Sequence, residues 1–397
     1  MIEGLIQLPW WGYVIVAVVF TQITIAGVTL YLHRCQTHRA LDLHPIISHF
    51  FRFWLWLTTS MITREWVAVH RKHHAKVETD DDPHSPQVHG IAKVLWLGAW
   101  LYHKEIANQE TLDKYGGGTP DDWLERRVYT GRHNLGILSM LIINVLLFGA
   151  VAGAAIWVVQ MAWIPFWAAG VINGVGHYWG YRNFEVPDAS KNIVPWGLII
   201  GGEELHNNHH AYASSARFSN KKWEIDIGWL YIRLLSGLGL AKVRRTVPEL
   251  VEVEEKQQFD LESVRALVNT RFQIMANFVS DVLHDVHRQE VRKLANSGNA
   301  AHVPLVKRAR RLMTRESRLL SARASAQLSY VLKISPRLNK VYLMKQRLQE
   351  IWSSHAQSQE KLLQALEDWC RAAEASGIEA LRDFSRRLRR YELAASA

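Results

Sequence analysis

Cysteine is nearly absent: Cys35 and Cys370 are the only two in 397 residues. That excludes a disulfide framework and any cysteine-based zinc or iron–sulfur site. Charge is missing from one long stretch, residues 10–32, which runs 23 positions without a charged side chain. No charged region precedes it and no small-residue cleavage site comes after it, so a cleavable secretory signal is not expected. No flavin, nicotinamide or haem motif is visible, and no His-Pro-Gly-Gly cytochrome segment is fused. Residues 252–397 hold no uncharged run long enough to cross a bilayer.

Tryptophan and histidine are in excess, 17 and 19 residues, and 15 of each precede residue 252. The net charge of +10 divides the other way, with +8 in residues 252–397 and +2 before them. A hydrocarbon core takes about 20 helical residues, so residues 10–32 are expected to span it. Two further uncharged runs, 135–163 and 164–181, separated around Ala162 to Pro165, read as a helical hairpin with spans at about 135–159 and 163–181. Residues 46–63 contain His49 and Arg52 and form a poorer span. A full crossing there would put His33 and His38 on one membrane face and His70, His73 and His74 on the other. If these histidines act together, the segment lies in the interface or re-enters. The expectation is an all-α integral membrane protein: a membrane domain over residues 1–251, with three spans, an interfacial helix and a cytoplasmic metal-binding cap, and a helical basic cytoplasmic extension over 252–397. Lys and Arg concentrate in stretches 34–132 and 182 onward, which places these on the cytoplasmic side and the N-terminus outside. Trp10, Trp11, Trp157 and Trp163 fall at span ends, where indole favours the headgroup level.

Histidine gathers in three clusters: HRCQTH from His33 to His38, HRKHH from His70 to His74, and HNNHH from His206 to His210. In H-x-x-H-H the three imidazoles occupy one helix face, so each such box is expected to point at one centre. His33 and His38 are five apart, which suggests that the first helix ends or bends between them. Imidazole donors without cysteine suit iron, copper, zinc or nickel and disfavour magnesium or calcium. Eight histidines exceed the coordination of one ion and imply two, each with an open position. Two open-sited irons can bind and split dioxygen, whereas two zincs would at most activate water. Siting at a membrane points to a lipid substrate.

These boxes, with the strings EWVAVHRKHH from Glu65, TDDDPH from Thr79, NGVGHYWGYRNF from Asn173 and GGEELHNNHH from Gly201, resemble the membrane fatty acid desaturases, most closely the bacterial delta-9 acyl-CoA type. The resemblance covers roughly residues 5–245. It implies nine iron ligands, His33, His38, His70, His73, His74, His177, His206, His209 and His210, holding two Fe ions. It makes Asn173 a water-mediated partner of the metal, and Glu203 an orienting residue for a ligand imidazole. Trp66 becomes a wall of the acyl tunnel and His84 a residue of the headgroup entrance. His44, His49, His89, His103 and His133 match no ligand position. Glu204 and Leu205 depart from the Gly and aromatic of the animal enzymes, so packing near the third box should differ. Those enzymes resemble a four-span design, whereas 32 residues precede His33 here, so one outer span is missing and the N-terminus is expected in the periplasm.

The implied reaction removes two hydrogens from adjacent methylenes of a saturated 16- or 18-carbon acyl-CoA or other acyl lipid, giving a cis double bond while O2 is reduced to water. Electrons would come from a ferredoxin or similar electron-transfer protein with its NAD(P)H reductase. A bacterial inner-membrane, multi-pass location is implied. A di-iron alkyl or fatty acyl hydroxylase is the alternative, and a metal transporter or sensor would need more polar spans. The tail is expected to be helical over 259–294, 304–332, 336–353 and 357–391, with turns at Asn296 to Asn299 and at Ser335-Pro336. Apolar residues at helical spacing between basic ones make 337–352 a packing helix and not a nucleic-acid binder.

Overall fold

In the computed structural model, which describes residues 3–254, 256, 258–296, 300–353 and 358–394, the uncharged N-terminal run is one helix, α1, Trp10–Thr37, of 28 residues. Its buried Thr21 and Thr24 hydroxyls donate to the carbonyls of Ala17 and Phe20, so neither hydroxyl is left idle. From Gly27 to Thr37 the helix widens into π-helical turns. Helix α2, Pro45–Thr59, begins with proline at its first turn and stops at Ser60, whose φ of 59° cannot continue it. Helix α3, Thr63–Lys76, begins at once. The poor span is thus a helix of 15 residues. Its Arg52 is buried and forked onto Asp122 (2.6 Å) and Glu125 (2.9 Å).

Helices α4, Ile91–Ile106, α5, His133–Phe148, and α6, Ala150–Val175, complete the apolar framework. The hairpin turns at Gly149, with φ 84° and ψ 168°, and not at Ala162 to Pro165. Only glycine adopts that backbone readily, whereas Pro165 is carried inside α6 by π-helical turns over Pro165–Ile172. Asn144 and Gln160, buried across the hairpin, pair at 2.8 Å. Gly98 and Gly170 let α4 meet α6 backbone to backbone: a Cβ on either would lie 2.2 Å from Ala169 O or 2.4 Å from Leu95 O. By length and composition, α1 and the 26-residue α6 can cross a membrane, while α5 has 16 residues. At 1.5 Å per residue α5 extends about 24 Å, short of the roughly 30 Å core. All three expose apolar side chains, including Val14, Val18, Leu138, Ile142 and Val158. Helix α7, His206–Ala211, carries the third box, and α8, Ile227–Gly237, comes after it in the chain. Strand Leu41–Leu43 pairs antiparallel with Ala241–Val243, Leu41 opposite Val243.

The chain divides into two compact units: the first is Met1–Arg182 with Ser190–Val247, the second Asn183–Ala189 with Pro248–Ala397. In the second unit, α9 is Leu261–Asn269, α10 runs over 271–296, α11 is Val303–Thr314, α12 Ala322–Ile334, α13 Pro336–Ser353, α14 Gln359–Glu374 and α15 Glu379–Arg390. An Asp260–Ser263 capping box starts α9. The expected helix 336–353 forms over those residues and buries Leu338, Val341, Tyr342, Met344 and Leu348. The other three long helices each divide. The breaks fall at Thr270 between α9 and α10, at Arg315 to Ser321 before the Ser321 N-cap of α12, and at Gly377, whose φ is 72°. Of the turn expected at Asn296 to Asn299, the helix end at Asn296 is seen and the other three positions lie outside the described residues. Phe278, Trp369 and Phe384 form the centre of the core, meeting edge-on with centroids 5.2–6.1 Å apart. Leu250–Glu252 pairs with Tyr391–Leu393.

Replacing Gly98 with leucine should destabilise the first unit by about 1–3 kcal/mol or more, since neither helix backbone can retreat without loss of packing. A lowered unfolding temperature in detergent checks this, with Gly117→Leu, a site with open space around it, as the control.

Candidate metal centre

Nine imidazoles gather in the first unit as two groups. His33, His38, His70, His74 and His209 form one; His73, His177, His206 and His210 form the other, and within each the potential ligand atoms lie within 4.8 Å of one another. Neither H-x-x-H-H box therefore points at a single centre. In α3 the outer pair, His70 and His74, serves the first group and His73 the second; in α7 the outer pair, His206 and His210, serves the second and His209 the first. The reason is angular. At about 100° per residue, positions i and i+4 are separated by only about 40°, while i+3 stands about 100° from i+4. His33 and His38 join one group because the closing turn of α1 is π-helical: His38 N donates to His33 O, five residues back, at 3.1 Å. A turn closed at i+5 returns the fifth residue towards the same side, and such turns concentrate at functional sites.

Carboxylates set the proton positions. Nδ1 of His33 donates to Glu203 at 2.7 Å, Nδ1 of His73 to Asp82 at 2.9 Å, and Nδ1 of His177 to Glu78 at 3.2 Å. An ionised carboxylate only accepts, so each Nδ1 carries the proton and each Nε2 presents a lone pair. In the first group, Nε2 atoms face each other from His33 to His209 (3.1 Å), His209 to His74 (2.9 Å), His74 to His70 (3.1 Å) and His70 to His38 (3.2 Å). In the second, Nε2 of His206 and His177 are 2.9 Å apart. Neutral imidazoles cannot satisfy this many converging nitrogens with one proton each. A cation can, and an all-nitrogen donor set of this kind suits a transition metal. Burial first, and then the neighbouring imidazoles, hold His38, His70, His74, His209 and His210 well below the ordinary histidine range. Burial would raise Asp82, but its contact with His73 and a backbone N–H hold it well below the usual carboxylate range.

A fatty acid desaturase family model matches residues 8–220. The chain belongs to the fatty acid desaturase family. Among its relatives, "Icosanoyl-CoA 5-desaturase" of Limnanthes douglasii is 33% identical over 55% of this chain and 60% of its own length. "sn-1 stearoyl-lipid 9-desaturase" of Synechocystis is 33% identical over 56% and 68%, and "Delta-9 acyl-lipid desaturase 1" of Arabidopsis thaliana 31% over 58% and 74%. The chain therefore spans between about three fifths and three quarters of the length of these relatives. Residues 266–395 also match a transposase model. Among the described residues, every group of side chains that could hold a metal ion lies in the first unit.

Around the histidines of this desaturase-family chain, Trp66 stacks on His70, centroids 5.0 Å apart and planes at 13°. His84 is buried and stacks on His73, centroids 4.4 Å apart. Asn173 is partly buried one turn before His177 and makes no side-chain hydrogen bond to a described residue. Glu204 receives the N–H groups of Ile199, Ile200 and Gly202, so its departure from the animal pattern caps the turn before the third box. Burial pushes its carboxyl up, and those backbone donors oppose the shift.

Sequence reasoning missed the anchoring residues inside the boxes. Arg34, fully buried, forks onto Asp226 (2.9 and 3.2 Å), donates to the carbonyls of Ala216 and Gly201, and lies 3.8 Å over the Phe218 ring. Phe218 in turn packs on His33 and His209. Arg71 donates to the carbonyls of Gln36 and Thr37 at the end of α1 and to those of Tyr115 and Gly117. Glu78 and Asp82 were also missed. Their signal was the acidic run after the second box, where the structure turns at Glu78 with φ 58°, a rare backbone for this residue. Arg34→Met strands the Asp226 carboxylate without its cation and should cost about 3–5 kcal/mol. Adding Asp226→Asn should restore part of that, read as the unfolding temperature of the double variant against the single one.

Proposed function

We propose that the chain is an oxygen-dependent fatty acyl desaturase of a bacterial inner membrane that introduces a cis double bond, at position 9, into a saturated 16- or 18-carbon chain carried on CoA. The observation that carries this is the division of nine histidines into a group of five and a group of four in a chain of the desaturase family. Two iron ions suit the donors: His33, His38, His70, His74 and His209 would hold one, and His73, His177, His206 and His210 the other. The irons, when bound, supply the dioxygen-dependent oxidation that an unactivated C–H bond requires and that no side-chain base can perform.

The chain's own residues do the rest. Glu203, Asp82 and Glu78 keep protons on Nδ1 of their histidines, so that Nε2 remains the donor atom. Asn173, on the group with one histidine fewer, completes it through a water molecule. Trp66 forms part of the acyl channel wall, and its stack on His70 sets where the chain passes. His84, stacked on His73, lines the headgroup entrance. The first unit spans the bilayer three times with its N-terminus outside and the histidines on the cytoplasmic side, and lipid covers the apolar faces of α1, α5 and α6. Electrons arrive from a separate ferredoxin-like protein and its NAD(P)H reductase. Residues 252–397 form an appended cytoplasmic domain.

Cells making the protein aerobically should convert saturated 16- and 18-carbon chains to cis-monoenes, and His70→Ala or His210→Ala should abolish the conversion. An unchanged fatty acid profile with iron fully loaded would refute the reading, and hydroxylated chains would establish the hydroxylase instead. The relatives' names divide between CoA and lipid carriers, so feeding labelled stearoyl-CoA or labelled stearoyl glycerolipid to membranes identifies the carrier. Purified protein should hold two irons per chain. Asp82→Asn should weaken retention of one of them by about 10–100-fold, seen as iron content falling towards one per chain after mild chelation.

A further inference from the structure

The positive excess of the tail is concentrated. Between residues 303 and 323 there are seven Lys and Arg against the single acid Glu316, a net +6 of the tail's +8. Four of these cations, Lys307, Arg308, Arg310 and Arg311, line a groove of about 490 Å³ together with Leu312, with His287 from α10 and Gln327 from α12. Several basic side chains elsewhere in this unit are paired, among them Arg387 with Asp281, Arg389 with Glu374, and Lys256 with Asp260 and Glu392. Those of the groove make no ion pair or side-chain hydrogen bond to a described residue.

Like charges at i, i+3 and i, i+4 on one helix repel, costing a few tenths of a kcal/mol per pair. Here 307/310, 308/311 and 307/311 are all of this kind. The α11 macrodipole offsets part of that for Arg311 in the last turn, but not for Lys307 and Arg308. Burial, and after it the charge of Arg310, hold His284 below the ordinary histidine value, so the repulsion reaches across to α10. What relieves such an arrangement is a multivalent anion. Guanidinium forks match phosphate oxygens bidentately, and the volume falls in the usual range of small-ligand sites, about 300–1,000 Å³. The lining offers Leu312 as an apolar contact but no aromatic carbon ring on which a nucleobase would stack.

We propose that this groove binds a phosphate-ester anion, with Lys307, Arg308, Arg310 and Arg311 as its ligands. The site lies wholly in the second unit and stands or falls apart from the desaturase reading. The test uses the full-length protein in non-ionic detergent. Inorganic pyrophosphate, coenzyme A, dihexanoyl phosphatidic acid and a short duplex DNA are titrated by calorimetry. The comparison protein carries Lys307→Gln, Arg308→Gln, Arg310→Gln and Arg311→Gln, with Arg308→Gln/Arg311→Gln as a milder second variant. All four side chains are exposed, so both variants should keep the wild-type unfolding temperature without ligand. Pyrophosphate should bind the wild type, and the fourfold variant at least about tenfold more weakly. Preference for coenzyme A would identify a soluble phosphate ester as the source, and preference for phosphatidic acid a lipid headgroup; either supports the site. Equal pyrophosphate binding by wild type and variants, no binding to the wild type at low salt, or duplex DNA binding more tightly than every phosphate probe and lost in the variants would overturn it.

Discussion

Imidazole nitrogens turned inward at hydrogen-bond distance, with lone pairs facing lone pairs, set the terms for the rest of the first unit. The arrangement repels itself, so it must be held from outside. Glu203, Asp82 and Glu78 hold it at the level of single rings, by accepting from Nδ1. Arg34 and Arg71 hold it at the level of the backbone, by gathering the carbonyls of segments distant in sequence. Gly202 and Gly228 leave room for the Arg34 guanidinium, since a Cβ at either would lie within 2.9 Å of it. Much of the polar chemistry around the histidines is therefore scaffolding, buried because the histidines are.

Reading the sequence found the histidines readily, because residue type and spacing are properties of the chain. His177 came from the family resemblance alone, having no partner within its own helix turn. Direction was harder. The helical repeat separates His73 from His74 by about 100°, yet treating H-x-x-H-H as one face merged two groups into one. Arg34 and Arg71 looked like spacers between ligands, since nothing local says that a basic side chain turns inward to meet Asp226 or the Tyr115 carbonyl. The sequence suggests a hairpin break around Ala162 to Pro165, but wide turns carry Pro165 inside the helix and the break falls at Gly149, the residue able to take φ 84°. In the tail, 336–353 was legible from its apolar stripe and its leading proline, whereas the break at Gly377 lay inside a pattern that keeps helical spacing on both sides.

The two units turn different side chains outward. In the first, the longest helices turn apolar side chains outward and reserve their few polar atoms for internal pairs such as Asn144–Gln160. In the second, aromatic and aliphatic side chains point in, around Phe278, Trp369 and Phe384, and charge covers the outside. The fatty acid desaturase match ends at residue 220 and the transposase-model match begins at 266, so the change of surface character falls between the two matches.

The opposite division of the two H-x-x-H-H boxes has an evolutionary consequence. Each of α3 and α7 serves as a party wall, giving two rings to one chamber and one to the other. A one-residue insertion in either helix would rotate every later ring by about 100° and damage both chambers together. Such an insertion cannot be confined to one centre.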